Sequence, residues 1–290
     1  MKVSYKNLVN VSFDELYNTF VDAFSDYAVD VSYMNPYVMH NRAVKNGYDP
    51  ESSVGVFENE NLVGFTLVGI DKHFEEPAAF DIMTGIVKDY RGKGIASQMF
   101  DFIKPTLKKQ KIRQFFLEVL QENNAAIRAY QKTGFKITRS LECFIMDTKN
   151  FKPTQDSRIP LQFKQLNSSD IDDFETFADW APSWENSFNA IKRIPDETII
   201  IDAEYSINKV GLIVYYPLTN WIMALQVDPK YRKMGVGSAL IGKLIDEING
   251  RTNQIKFLNI QSEDEDLIAF LKANGFELMT SQYEMKYELN

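Results

Sequence analysis

One cysteine and two histidines in 290 residues leave little room for several kinds of chemistry. Cys143 alone cannot form an intrachain disulfide. His40 and His73 are too few for a Cys/His zinc centre, which takes three or four such ligands, so no metal is expected. A Ser-His-Asp triad needs only one histidine, but neither lies in a recognisable motif and the G-x-S-x-G turn is absent. No run of 18 apolar residues occurs, so no membrane span is expected. The opening Met1-Lys2-Val3-Ser4-Tyr5-Lys6-Asn7 has neither the apolar core nor the small-residue cleavage site of a signal peptide. Together these absences predict a cytoplasmic protein.

Basic charge is also scarce. The net charge is −8, with residues 1–150 carrying 18 Lys and Arg against 19 Asp and Glu, and residues 151–290 carrying 14 against 21. A nucleic-acid binder would show a basic face, so none is expected as a partner. The acidity of the second half suits a cationic small molecule or a basic peptide. Apolar residues make up 44% and charged residues 25%, which permits a packed core, and the length suits two domains.

What the chain does contain is a repeat. Tyr90-Arg91-Gly92-Lys93-Gly94-Ile95-Ala96 returns as Tyr231-Arg232-Lys233-Met234-Gly235-Val236-Gly237, an offset of 141 residues. Lys132-Thr133-Gly134-Phe135 returns as Ala273-Asn274-Gly275-Phe276 at the same offset. Upstream the offset grows, as deletions in loops of the second copy would produce. The period is too long for a solenoid and fits a duplicated domain. The polar, proline-bearing stretch from Lys149 to Ser157 marks the boundary, predicting domains at 1–150 and 158–290.

Both copies are expected to run through the same elements. Phe13, Leu16, Tyr17, Phe20, Val21 and Phe24 recur at helical spacing behind the N-cap Ser12, and Ser169–Asp172 reads as the matching cap. Strands follow at Ser53–Phe57 and Leu62–Ile70, and at Thr198–Ala203 and Lys209–Tyr216. A further strand (Phe80–Val87; Trp221–Val227) then runs into the glycine turn and a helix. Pro105 should kink or end that helix in the first copy. Another strand (Gln114–Leu120; Lys256–Gln261), a short helix ending at Gly134 or Gly275 and a last strand complete each copy.

A strand, a glycine turn and a helix N-terminus in succession make an anion site. The first N–H groups of the helix lack internal partners, and glycine permits close approach. Arg91–Ala96 and Arg232–Gly237 are therefore candidate phosphate cradles. Neither is a dinucleotide fingerprint, because the third glycine is replaced by Ser97 and Leu240, and neither ends in the Gly-Lys-Ser/Thr of a P-loop.

The turns Arg91-x-x-Gly94-x-Ala96 and Arg232-x-x-Gly235-x-Gly237 resemble the motif of the GNAT superfamily of acetyl-CoA-dependent N-acyltransferases. So do the lead-in Val227-Asp228-Pro229-Lys230-Tyr231-Arg232 and the segment Asn123-Asn124-Ala125-Ala126-Ile127 leading to Gly134-Phe135. The resemblance covers nearly the whole chain. It implies an α/β fold of two domains, each a central mixed, mostly antiparallel sheet flanked by helices. It implies acetyl-CoA as cosubstrate and an amine as acceptor, with the CoA pyrophosphate on the turn. The pantetheine arm would lie between the strand before the turn and its splayed neighbour. Implied cofactor contacts are Ile86, Val87, Lys88, Arg91, Gly92, Lys93, Gly94, Ile95, Ala96, Asn123 and Ala126, with Val227, Arg232, Gly235 and Gly237 in the second copy. Backbone groups near Thr84–Ile86 would face the thioester carbonyl.

Amine attack on a thioester needs a base for the amine and an acid for the leaving thiolate. The family's tyrosine, four residues before the Gly of Gly-Phe, is Tyr130 here and Leu271 in the second copy. The first copy is thus expected to be catalytic and the second degenerate or a scaffold. Glu118, in an otherwise apolar strand, and Asp81 are the candidate bases; Asn259 stands where Glu118 would recur. Tyr27–Tyr48, with Tyr33, Tyr37 and His40, is the candidate substrate wall. A non-catalytic acyl-CoA-binding scaffold is the alternative function, and either a monomer or a homodimer fits.

Overall fold

A computed structural model describes residues 2–26, 31–153 and 156–289. These fall into two compact units: Met1–Thr138 with Tyr283–Asn290, and Arg139–Gln282. The first is unit 1 and the second unit 2.

Unit 1 begins with β1 (Ser4–Asn7), α1 (Phe13–Phe24), α2 (Pro36–Lys45), β2 (Val54–Glu58), β3 (Asn61–His73) and β4 (Glu76–Ile86). It continues with α3 (Ile95–Lys109), β5 (Gln114–Leu120), α4 (Asn124–Thr133) and the start of β6 (Lys136–Asp147). Ser12 caps α1 by accepting the Glu15 N–H at 3.2 Å, as its sequence predicts. The helix is amphipathic and buries Leu16, Phe20 and Ala23.

Neighbouring strands run β1-β2-β3-β4-β5 and then β12 (Glu277–Glu288), of which Tyr283 onward belongs to unit 1. The β1/β2, β2/β3 and β3/β4 pairs are antiparallel and β4/β5 is parallel. Adjacent strand residues face opposite ways. On β3, Thr66 reaches Met99 of α3, whereas Phe65 lies with Phe24 of α1 around Gly85. A Cβ on Gly85 would stand 3.0 Å from each of these rings, so glycine there lets α1 settle onto the sheet.

Unit 2 contains β6 from Arg139, then β7 (Gln162–Gln165), α5 (Phe188–Lys192), β8 (Ile199–Tyr205), β9 (Asn208–Tyr216) and β10 (Trp221–Val227). It ends with α6 (Val236–Glu247), β11 (Gln254–Gln261), α7 (Glu265–Ala273) and the first part of β12. The strand order is β6-β11-β10-β9-β8-β7, and β10/β11 is the parallel pair. The alternation on β8 and β9 is clean. Ile201, Ile213 and Tyr215 share a core with Leu240, Ile241 and Leu244 of α6. Ile200, Leu212, Val214 and Tyr216 share the other face with Ile171, Phe174 and Ile191.

Met285 and Leu289 complete the core of unit 1 beside Phe115 and Phe135, so the compact units are not collinear with the chain. Two expectations differ from the structure. Unit 2 does not open with an α-helix. Ser168–Asp170 and Asp172–Phe177 form 3-10 turns instead. Ile171, Phe174 and Phe177 recur every three residues, the spacing that aligns side chains on a 3-10 turn. Pro105 does not end α3, which continues four residues past it to Lys109. Ile103 and Leu107, on either side of the proline, are both buried, so packing holds the helix through the missing hydrogen bond.

Candidate active site

The site of unit 1 forms where β4 and β5 part. Their parallel pairing covers only Ala78 with Gln114, Ala79 with Phe115 and Phe80 with Phe116. Asp81 is the first β4 residue beyond the last pair, and Glu118 stands on β5 two residues past Phe116. The two candidate bases therefore flank the opening.

Tyr130 of α4 reaches the same place. Its hydroxyl donates to Asp81 Oδ2 at 3.3 Å, and Thr84 Oγ1 donates to the same oxygen at 2.7 Å. The Thr84 and Thr66 hydroxyls are 2.8 Å apart. Since Thr84 gives its proton to Asp81, Thr66 is the donor between them. A polar chain, Tyr130–Asp81–Thr84–Thr66, thus crosses from α4 through β4 to β3. Asp81 Oδ1 is buried and has no hydrogen-bond partner among the described residues, although the residue as a whole retains some open surface. Burial raises the Asp81 carboxyl to about 6, and the Thr84 and Tyr130 bonds and the Arg42 charge hold it from going higher.

The glycine turn follows β4. Gly92 and Gly94 have φ of +72° and +76°, a region that glycine enters without strain. Gly94 occupies the N-cap of α3 and offers no side-chain cap, so the first N–H groups of that helix remain available to an anion. Among the described residues nothing lies within 4 Å of a Cβ placed on Gly92, and only the Gln98 amide nitrogen approaches one on Gly94, so these residues leave the turn open. Ile95 is buried in the core, with Ala96, Ala126 and Ile86 packed against it. Val87 N–H is bonded to the Val63 carbonyl, and Lys93 Nζ to the Asp89 carbonyl at 2.7 Å.

Other residues expected to touch the cofactor also have partners within the protein. Arg91 Nε donates to the Ile86 carbonyl, one terminal nitrogen donates to the Ala23 carbonyl at 2.6 Å, and both terminal nitrogens reach the Asp26 carboxylate. Lys88 Nζ stands 3.4 Å from the same carboxylate. The Arg91 bond holds the Asp26 carboxyl below its ordinary range. α1 has no basic residue in its last turn, and Arg91 brings a cation to its C-terminal carbonyls from the loop. Asn123 caps α4, its Oδ1 accepting the Ala126 N–H at 3.1 Å.

Unit 2 repeats the frame without the polar chain. β10 and β11 pair only at Trp221 with Lys256 and Ile222 with Phe257 before parting. Arg232 repeats the arginine clamp, donating to the Val227 and Phe177 carbonyls and to Asp179. Tyr130, Asp81 and Thr84 correspond at the repeat offset to Leu271, Ile222 and Leu225. Leu225 pairs with Ile213 as Thr84 pairs with Thr66. All four polar positions have become apolar. Asn259, in the place of Glu118, is buried with φ of +61° and bonded to Ser183 and Gln282.

Sequence reasoning missed two features. Thr66 and Thr84 read as ordinary strand residues, since threonine favours strands anyway. Val227, Arg232, Gly235 and Gly237, the expected contacts of the second copy, line a cavity of about 490 Å³ in unit 2. The feature missed there is its other wall, the irregular 177–186 segment, where Trp180 and Pro182 were the available signal. In the substrate wall Tyr27–Tyr48, residues 27–30 lie outside the described residues, as do Thr154 and Gln155 at the expected boundary. His40 packs edge-on against Phe13 at 5.0 Å. Among the described residues no group of His, Cys, Asp and Glu could hold a metal, and no helix is long and apolar enough to cross a membrane.

The acetyltransferase (GNAT) family model matches residues 13–135 and again 163–276, so the chain belongs to that family. N-alpha-acetyltransferase 30 of Schizosaccharomyces pombe is 30% identical over 87 residues, covering 30% of this chain and 58% of that protein. The probable spermine N(1)-acetyltransferase of Bacillus subtilis subsp. natto is 30% identical over 98 residues, covering 31% and 62%. The chain thus spans about three-fifths of the length of these relatives. Among solved structures, a tandem GNAT protein from the clavulanic acid biosynthesis pathway superposes with a TM-score of 0.72 at 10% identity, over 100% of this chain and 99% of that one. A GCN5-related N-acetyltransferase from Sphaerobacter thermophilus gives 0.70 at 10% identity, over 99% and 96%. These two likenesses concern the fold.

Proposed function

We propose that the protein is an acetyl-CoA-dependent N-acetyltransferase whose chemistry resides in unit 1, with unit 2 lacking the groups for transfer. The carrying observation is the hydrogen-bonded pair Tyr130–Asp81 at the parting of β4 and β5, beside an open glycine turn. The amine and acetyl-CoA are held together, and the amine nitrogen attacks the thioester carbonyl carbon directly. As the C–N bond forms, backbone N–H groups near Thr84–Ile86 stabilise the oxyanion. The C–S bond then breaks and the sulfur takes the Tyr130 proton. Asp81, ionised above pH 6, takes the proton the amine releases and returns it to Tyr130 along their shared bond. Protons balance within the pair. Glu118, across the opening, is the second candidate base.

The acceptor is an amine. Likeness to spermine and N-alpha acetyltransferases, with a net charge of −8, makes polyamines and peptide N-termini the first acceptors to assay. The test is steady-state turnover of Tyr130→Phe with acetyl-CoA binding followed separately. Loss of kcat by roughly 10²-fold with binding retained is the expected result. Turnover equal to the unmodified protein would remove Tyr130 from the reaction. No turnover by the unmodified protein with any amine would favour the non-catalytic acyl-CoA-binding reading.

A further inference from the structure

Asp81 and Thr84 are three residues apart on β4, a spacing that would put them on opposite faces of a regular strand. A slip in register brings them together. β3 and β4 pair Leu67 with Met83 and Val68 with Asp81, which leaves Ile82 as an extra residue. Asp81 therefore shares the face of Ala79, and Thr84 the face of Ile86, and both of these apolar residues belong to the core that α3 helps to form. Thr84 pairs with Thr66, and the Thr66 hydroxyl is also 3.8 Å from the Met99 sulfur of α3.

The two threonines are not needed to make this register. β9 and β10 of unit 2 slip in the same way at Met223, with Leu225 where Thr84 would stand and Ile213 where Thr66 would stand. Thr66 is buried and Thr84 half-buried. A hydroxyl withdrawn from water costs free energy that an aliphatic side chain does not. The sheet folds with leucine and isoleucine in these places, so the hydroxyls of unit 1 call for a role beyond packing.

That role is visible in the directions the chain can take. With Asp81 ionised, Thr66 donates to Thr84 and Thr84 donates to Asp81 Oδ2. With Asp81 protonated at Oδ2, the order reverses: Oδ2 donates to Thr84, Thr84 to Thr66, and Thr66 to the Met99 sulfur. No hydroxyl proton is stranded in either state. The ionised direction is the stronger, because it ends on a charge rather than on a thioether. Other groups act on the same carboxyl: Tyr130 of α4, the Met83 N–H and the Arg42 charge of α2. Glu118 alternates to the other face of β5, since Leu117 and Val119 lie in the core with α3.

We propose that Thr84, oriented by Thr66, is a positioning residue for acetyl transfer: it pins Asp81 Oδ2 beside the Tyr130 hydroxyl and lets the carboxyl take up and release a proton without rearrangement. The proposal rests on the reading of Asp81 as base and Tyr130 as acid.

The experiment uses the full chain and two readouts. Carbon-13 NMR of protein labelled at its aspartate carboxyls follows the titration of Asp81, with Asp81→Asn identifying the resonance. Steady-state kinetics with acetyl-CoA and either spermine or a short peptide gives kcat, KM and their pH profiles. Thr84→Val keeps the shape of the side chain and removes the hydroxyl. It should raise the Asp81 titration by about one pH unit and move the rising limb of kcat/KM with it. It should also lower kcat roughly tenfold, with KM for acetyl-CoA unchanged. Thr84→Ser should restore all three. Thr66→Val should move the titration the same way by a smaller step, because it loosens Thr84 without removing the bond to Asp81.

An Asp81 titration that is the same in Thr84→Val and the unmodified protein overturns the proposal. So does a loss of kcat that Thr84→Ser leaves in place, since packing would then be the cause. A titration that moves while turnover is absent, or is indifferent to Asp81→Asn, overturns the proposal together with the reading of Asp81 as base. An unmoved titration beside a pH limb that disappears in Asp81→Asn overturns the proposal alone.

Discussion

Asp81 ionises where a reaction near neutral pH can use it, because burial has moved its carboxyl to about 6. If it is the base, kcat/KM should rise with pH through about 6 and level off above it. Asp81→Asn should flatten that limb and lower the plateau roughly 10²-fold; an unchanged limb would transfer the role to Glu118. Asp202 of β8 is a second displaced carboxyl, also near 6, raised first by burial and then by the neighbouring Glu204 charge. It is fully buried, and neither oxygen accepts a hydrogen bond from a donor among the described residues; when protonated it can share its proton with Glu204. An acid whose folded pKa exceeds its unfolded value binds its proton more tightly when folded. Stability is then lost as pH rises from about 4 to about 6 and stays low above that. Asp202→Asn should therefore raise the melting temperature at pH 7.5 and change it little at pH 4. The gain should be at most about 3 kcal/mol for a displacement of this size. Equal melting at both pH values would show that Asp202 is solvated in solution. At this scale the sequence was informative where two copies could be set side by side. Tyr130 against Leu271 is visible at an offset of 141 residues, whereas nothing in the letters ties Thr66 to Thr84, because only strand register makes them neighbours.

Between residues and units stand the elements, and here the motif arginines have a role the motif does not convey. Arg91 ties the end of β4 to the end of α1, and Arg232 ties the end of β10 to Phe177 and Asp179. The arrangement holds although α1 has no helical counterpart in unit 2, so what persists is a demand for a cation at two carbonyls. Their carbonyl partners, Ala23 and Phe177, lie 68 and 55 residues upstream, beyond the reach of a local pattern. The strands and the α3 helix were legible because period-2 and period-3.6 alternations are local. Arg91→Ala should raise KM for acetyl-CoA several-fold with a smaller effect on kcat, since the turn loses its anchor while Tyr130 and Asp81 remain. Asp26→Ala should reproduce part of that effect, and the double variant should cost less than the two single effects added. Full additivity, measured in the same cycle, would mean that Arg91 meets the cofactor on its own.

At the scale of the molecule, the repeat and the compact units do not coincide. Sequence similarity follows chain order and so divides the chain near its middle, but compactness follows packing. Unit 1 closes with Tyr283–Asn290, residues from the far end of the chain. Met285 is fully buried, Leu289 N–H donates to the Arg113 carbonyl at 2.7 Å, and the Tyr287 ring packs 4.9 Å from Phe100 and 5.5 Å from Phe135. No periodicity in Glu277–Glu288 distinguishes a strand that closes its own copy from one that closes the other, since alternation is the same in both cases. The consequence is testable by truncation. A chain ending at Gln282 keeps every residue of the Arg91–Ala96 turn, Tyr130 and Asp81, yet removes a core strand from unit 1. Emptying the Met285 position alone should cost about 2–5 kcal/mol, a large share of the stability of a domain this size. The truncated protein should lose turnover and the calorimetric transition of unit 1 while unit 2 still melts cooperatively. Met285→Ala in the full chain should lower the unit 1 transition without abolishing turnover at 25 °C. Full activity in the chain ending at Gln282 would mean that the first repeat closes its own sheet in solution, and the division at residue 150 would then be the correct one.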